Sequence, residues 1–491
     1  MINRCRALPR WFPALAIAGV LLPAELQGQD PSAMFSQAEY PAGSSPQDVA
    51  SGDFDGDDLL DLAVANRFSS NVSVLIAQPD GSYAPAGSFF VGSQPLAIIA
   101  ADLDDDGHLD LATANAGASS LSLLYGAGDG GFSPGPAVGV PSQPVDLAAA
   151  DLDGDGRPEL AVAHDLVTSP VSLLWSSSNF APAPLDSGYC ASSVGFGDLD
   201  GDGMDELLVA DCSGNQLRSY RGQGAAGPGA MSAFAVPLAP EALVVLDADD
   251  DGVLDVAVAS SGASSVSVLL GDGVGGLGAA QSQPVGVQPQ ALASGDVDGD
   301  GDADLVSANF ATNDLSLLLG AGDGSFGAAV SMSAGLFPGG LEVADFNGDG
   351  ADDIAAANAF SNDVSVFLAA PPPWADLGGN VAGKAGDARL EVEGLPRPGE
   401  SVIFTVVMLR GKTKHAQFIA GFEDISQPFK GGVMVPSLDS RRRIPTGRPV
   451  AMPWPDLPPG TPLYFQAWLK PKSRAGVAAA TNALRGTTQA P

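Results

Sequence analysis

Residues 198–206 read DLDGDGMDE, five acidic side chains and two glycines in nine positions. Neighbouring carboxylates repel one another by about 1 kcal/mol at 4 Å even in water, so the stretch predicts a cation held among them. The motif recurs as DFDGDDLLD from Asp53, DLDDDGHLD from Asp102, DLDGDGRPE from Asp151, DADDDGVLD from Asp247, DVDGDGDAD from Asp296 and DFNGDGADD from Asp345. With the copy at Asp198, the intervals are 49, 49, 47, 49, 49 and 49 residues. Seven copies at so constant a period define a repeat array.

An apolar run such as PLAIIAAD (95–102) precedes each copy, and two strand-like runs such as DLAVAN (61–66) and VSVLIA (72–77) follow it, then a Gly-rich turn such as GAGDGSF (320–326). The unit is four antiparallel strands with the acidic turn joining the first to the second, which is the plan of a β-propeller blade. Seven repeats predict seven blades. The last repeat ends at its third strand, DVSVFLAA (363–370), before PPPW, while Phe35 precedes Asp53 by 18 residues as Phe326 precedes Asp345 by 19. The N-terminal strand is therefore expected to complete the last blade and remove the open edge of the ring.

The expected fold is all-β: a seven-bladed propeller of four-stranded blades closed by the N-terminal strand, followed by a small C-terminal β-sandwich. Hydrophobic residues at 45%, with 62 glycines and 39 prolines in 491 residues, agree with many turns and short strands. Arg4, Arg6 and Arg10 followed by an apolar run from Trp11 to Leu22 read as a signal peptide over 1–28. No later segment has the roughly 18 uninterrupted apolar residues of a membrane span. The chain is thus expected to be secreted, at an extracellular, periplasmic or cell-surface location. The propeller is assigned to 29–370, a Pro-rich linker to 371–376 and the sandwich to 377–491. Residues 29–373 carry four basic and 48 acidic residues, a net −44, whereas residues 374–491 carry 15 basic and nine acidic, a net +6. Acidity confined to the repeats points to a local cause such as cation binding.

Counted from its first Asp, each motif places oxygen ligands at positions 1, 3, 5 and 9, with a backbone carbonyl available at 7 and glycine usual at 6. Hard oxygen donors on a tight turn suit Ca²⁺, whereas Mg²⁺ demands stricter octahedral geometry and more water. The predicted ligands are Asp53, Asp55, Asp57 and Asp61; Asp102, Asp104, Asp106 and Asp110; Asp151, Asp153, Asp155 and Glu159; Asp198, Asp200, Asp202 and Glu206; Asp247, Asp249, Asp251 and Asp255; Asp296, Asp298, Asp300 and Asp304; and Asp345, Asn347, Asp349 and Asp353. Up to seven structural Ca²⁺ ions are expected. Asp58 stands where glycine is usual, so the first loop is expected to be strained or less occupied, and Asn347 lowers the charge of the seventh.

On the acidic loop and the strands and GDGSF turn that follow it, roughly residues 31–370 resemble FG-GAP/VCBS repeats, the units of the integrin α-chain propeller and of many bacterial secreted proteins. The resemblance implies a seven-bladed ring with structural Ca²⁺ on one face. The full FG…GAP signature is absent, SFGAA at 325–329 coming nearest.

Cys190 and Cys212 flank the fourth loop, so antiparallel pairing would set them opposite one another, and a disulfide is predicted for an exported protein. In the basic C-terminal part, Arg441, Arg442 and Arg443 form a solvated turn or contact an anionic partner; no stacking platform accompanies them, so nucleic acid is not expected. The histidines are scattered: His108 falls inside the second loop, His164 stands where other repeats carry Asn66, Asn115 and Asn309, and His415 has no evident partner. No zinc spacing, P-loop or dinucleotide fingerprint occurs, and no catalytic residue is assigned. The expected function is a calcium-binding adhesion or binding module that takes a glycan or protein ligand on a propeller face. The alternative is a carbohydrate-active lyase or hydrolase on the same scaffold.

Overall fold

The computed structural model describes residues 35–369 except 80, 142, 166–169, 179 and 186–188; between 374 and 487 it describes the backbone of strand segments only. The signal segment 1–28 lies outside the described residues, and over 377–491, where the sandwich is expected, only strand backbone such as Ser401–Met408 and Arg442–Pro445 is described. Among the described residues no helix is long and apolar enough to cross a membrane.

Seven antiparallel sheets follow one another along the chain, each containing one acidic loop. In the first blade the strands are Pro46–Gly52, Asp61–Asn66, Asn71–Ala77 and Tyr83–Phe90, paired in that order. The other blades repeat the plan, except that the outer strand of the second is split into Phe132–Pro134 and Val138–Gly139, both paired with Ser120–Gly126. In the seventh, Phe35–Pro41 pairs in register with Asp363–Ala369 as the outermost strand. The innermost strands touch their neighbours around the ring, and Pro46–Gly52 meets Pro338–Ala344 to close it. The expected seven blades and the N-terminal closure are both found.

Packing between blades explains why the second strand reads DLAVAN rather than as an apolar–polar alternation. All six of its residues are buried in every blade, because sheets cover both of its faces, and a strand covered on both sides has no solvent-facing set. The two faces differ in size. Leu62 and Val64 pack on Ala355 and Ala357 of the seventh blade, while Ala63 and Ala65 receive Ile98, Leu111 and Leu124 of the second. Leu160 and Val162 meet Ala112 and Ala114 in the same way. Large side chains against alanines let neighbouring sheets interdigitate at core density.

A feature the sequence reading did not anticipate is a register shift near the start of every inner strand, as between Pro46 and Asp48 or Ala191 and Ser193. Such a bulge turns one backbone N–H away from its own ladder. In two blades a carboxylate of the preceding blade accepts a hydrogen bond from the second residue past the bulge, Ile98 N to Asp48 and Val194 N to Asp146, both at 2.9 Å.

Candidate metal-binding loops

All seven acidic loops join an inner strand to the second strand, so they lie on one face of the ring. Their backbone is the same in every blade. Positions 4 and 6 are both left-handed: Gly56 and Asp58 at φ 80° and 66°, Asp105 and Gly107 at 65° and 88°, Gly299 and Gly301 at 72° and 95°. Asp58 holds the left-handed conformation that glycine takes at this position elsewhere, one that Asp and Asn adopt more readily than other non-glycine residues, so the first loop keeps the backbone of the other six. Position 4 was missed as a second left-handed site, although Gly or Asp fills it in all seven copies.

Three hydrogen bonds recur in all seven loops. The carboxylate at position 1 accepts the N–H of position 6 at 2.9–3.0 Å. The carboxylate at position 5 accepts that of position 7 at 2.8–3.1 Å. The acid at position 9, which begins the second strand and is buried, accepts the N–H of position 2 at 2.7–3.0 Å. Its other oxygen accepts an N–H from the end of the third strand, for example Ala77 N to Asp61 and Gly271 N to Asp255. Position 9 is thus a structural tie as well as a possible ligand, a role that spacing alone did not disclose.

The remaining oxygens suit a hard cation. Two oxygens on one Ca²⁺ at about 2.4 Å lie at most about 4.8 Å apart. One oxygen from each of three acids meets that limit in loops that include those of Asp53, Asp55 and Asp57; Asp102, Asp104 and Asp110; Asp151, Asp153 and Glu159; Asp198, Asp200 and Glu206; and Asp247, Asp249 and Asp251. Oδ1 of Asp55, of Asp249 and of Asp296 is buried with no hydrogen-bond partner, an expensive state for a carboxylate oxygen unless a cation supplies the missing contact. The proton affinities agree. Burial, then Asp57 and Asp53, pushes Asp55 above the usual carboxylate range, and burial followed by Asp300 and Asp296 pushes Asp298 up to about 6. Where they lie, these residues fit Ca²⁺.

Cys190 and Cys212 face one another as the strand spacing predicts: Cys212 N donates to Cys190 O at 3.0 Å, just beyond the Ala191–Asp211 pair. Their sulfurs are not linked here; the Cys190 thiol donates to Asp165 and the Cys212 thiol to the Cys190 carbonyl. His164 is buried, with Nε2 3.0 Å from Ser172 Oγ, and burial lowers its pKa to about 4. It takes the place of Asn66, Asn115, Asn309 and Asn358, each of which donates to the serine seven residues on.

A second group of acids sits on the inner strands. Burial pushes Asp48 up to about 8, against the bond from Ile98 and with added repulsion from Asp146 and Glu342. Burial likewise pushes Glu342, which accepts from Ser51 Oγ at 2.8 Å, up to about 7. The folded-state values lie above those of the unfolded chain, so the contribution of these acids to stability is full at low pH and is lost as pH rises through about 7 to 8. In saturating calcium the melting temperature is expected to fall from about pH 6 to about pH 9, and Asp48→Asn to flatten that slope. A melting temperature that rises across the interval would contradict this.

These observations define the chain as a seven-bladed β-propeller bearing one acidic Asp/Gly loop per blade. It belongs to the FG-GAP-like repeat family, whose repeat matches residues 53–113, 102–162, 198–258, 247–307 and 296–356. Comparison with curated proteins found no match. Among solved structures, the crystal structure of BBS1N in complex with ARL6DN, soaked with lead, is similar at TM-score 0.50 and 15% identity, covering 68% of this chain and 97% of that one. The periplasmic gluconolactonase PpgL of Pseudomonas aeruginosa aligns at TM-score 0.46 and 15% identity, over 61% and 96%. A protein from Lactobacillus plantarum aligns at 0.46 and 13%, over 68% and 100%. At such identities the likeness to BBS1N concerns the fold alone.

Proposed function

We infer that this chain is an exported, calcium-stabilised propeller that serves as a binding or adhesion module for a glycan or protein ligand. The observation that carries the reading is the set of identical acidic loops, with the buried and unpartnered oxygens of Asp55, Asp249 and Asp296 among them. Calcium at these loops would cancel the clustered charge and tie each inner strand to the second strand. In an oxidising compartment, the facing thiols of Cys190 and Cys212 would close the disulfide expected from the sequence.

Ligand contact then falls to surfaces that the ions do not fill. On the face opposite the acidic loops, Phe310 and Phe337 stack at 4.6 Å, Phe360 meets Phe337 edge-on at 5.7 Å, and Phe360 and Phe68 are 66% and 68% exposed. Exposed aromatic side chains held on a rigid ring are suited to binding. The test passes the purified chain over immobilised polysaccharides and surface proteins, with and without calcium. Retention without product release is expected, and Phe360→Ser should weaken it about tenfold, the effect of losing one aromatic anchor. Release of cleaved sugar would favour the lyase or hydrolase instead, and no retention on any surface would overturn the binding reading.

A further inference from the structure

Among the described residues, the fourth loop holds an arginine paired with its own carboxylates. Nη2 of Arg221 lies 2.6 Å from Asp200 Oδ2 and 3.1 Å from Asp202 Oδ2, the carboxylates at positions 3 and 5. Asp200 is 5% exposed and Asp202 28%, whereas the arginine is 55% exposed. The guanidinium therefore reaches in from solvent over one enclosed acid, Asp200, and an exposed one, Asp202.

Strand register shows how unusual the residue is. Tyr220 pairs with Leu207 as Leu75 pairs with Leu62, Leu124 with Leu111, Leu174 with Leu160, Leu269 with Val256, Leu318 with Leu305 and Phe367 with Ile354. The next residue along is Arg221 in the fourth blade, but Ile76, Tyr125, Trp175, Leu270, Leu319 and Leu368 in the others. Among the described residues, Arg221 alone of the propeller's four arginines forms an ion pair with carboxylates at ligand positions. Arg157 donates to the backbone oxygen of Asp104, Arg218 pairs with Asp211, and Arg67 stacks over Phe68.

We propose that Arg221 is a built-in counter-cation, standing in for the divalent ion between Asp200 and Asp202. Calcium can use those two oxygens only when the guanidinium swings outward, and its half-exposed position leaves it room to do so. The fourth loop is accordingly a weaker calcium site than the fifth, whose acids pair with no arginine among the described residues, and is less dependent on calcium for its order. A metal-depleted ring keeps the fourth loop partly neutralised, and that loop fills after the fifth as free calcium rises. This rests on the reading of the loops as calcium sites.

The test is hydrogen exchange of the full chain across a calcium titration, followed peptide by peptide. For wild type, protection of residues 198–206 should reach its midpoint at higher free calcium than that of residues 247–255. Arg221→Leu restores the kind of side chain the other blades carry. It should move the 198–206 midpoint two- to fivefold lower, roughly the worth of a partly exposed ion pair, and leave 247–255 in place. In chelator the same variant should exchange faster at 198–206. Arg221→Lys, which keeps the charge, should retain most of the wild-type behaviour. A midpoint for 198–206 that is unmoved in Arg221→Leu, while the loops do respond to calcium, overturns the role of Arg221 alone. No response of any loop to calcium overturns the calcium reading and this inference together.

Discussion

Chelation is expected to lower the melting temperature of the propeller by about 10 °C or more, with recovery on adding Ca²⁺. A site held at 100 times its dissociation constant stabilises the folded state by about 2.7 kcal/mol. One kcal/mol shifts the midpoint of a domain this large by about 2 °C. Two saturated loops therefore suffice, and the structure offers seven. Burial first, and repulsion from neighbouring carboxylates second, raises Asp55, Asp249 and Asp298 toward protonation; removing calcium leaves that repulsion uncompensated, so the metal-free ring should gain stability on added salt, which screens exposed charge. Thermal denaturation followed by circular dichroism, with calcium and with chelator, measures both effects. Identical curves would show that the acidic loops are ordinary turns.

Asp255→Ala should cost about 2 to 6 kcal/mol whether or not calcium is present. The carboxylate accepts Ala248 N at 2.8 Å and Gly271 N at 2.7 Å and is 1% exposed. Its removal leaves one buried and one part-buried donor without partners, each at up to about 1 to 3 kcal/mol. Asp249→Asn is the contrasting variant. Asp249 Oδ1 has no partner, and Asp251 and Asp247 repel its charge, so the substitution should be neutral or slightly stabilising in chelator and costly only in calcium. The pair separates the structural tie from the ligand. If Asp255→Ala melts with wild type in chelator, position 9 is no tie and the hydrogen bonds assigned to it carry little weight.

The repeats could be read directly because their signals are local. Acids at positions 1, 3, 5 and 9 around Asp198 and its six counterparts, and strand runs at constant offsets, need no knowledge of distant contacts. Closure of the ring was legible from Phe35 and the missing fourth strand after Ala369. That position 6 needs a left-handed backbone was legible from its usual glycine, and Asp58 meets that need because aspartate tolerates the same conformation. The two amide partners of Asp255 could not be read from the motif, since Gly271 lies 16 residues away and meets the loop only after three strands have paired.

Sequence by itself determined the blade count, the location of the acidic loops and the choice of hard oxygen donors, because each follows from spacing within one repeat. Tertiary structure alone decided that Arg221 occupies the fourth loop, that Asp48 and Asp146 tie one blade to the next, and that the position-9 acids anchor the third strand. Each of these depends on which side chains strand register and ring closure bring within a few ångströms. Electrostatic and hydrogen-bond energies fall steeply over that distance, so linear spacing does not encode them.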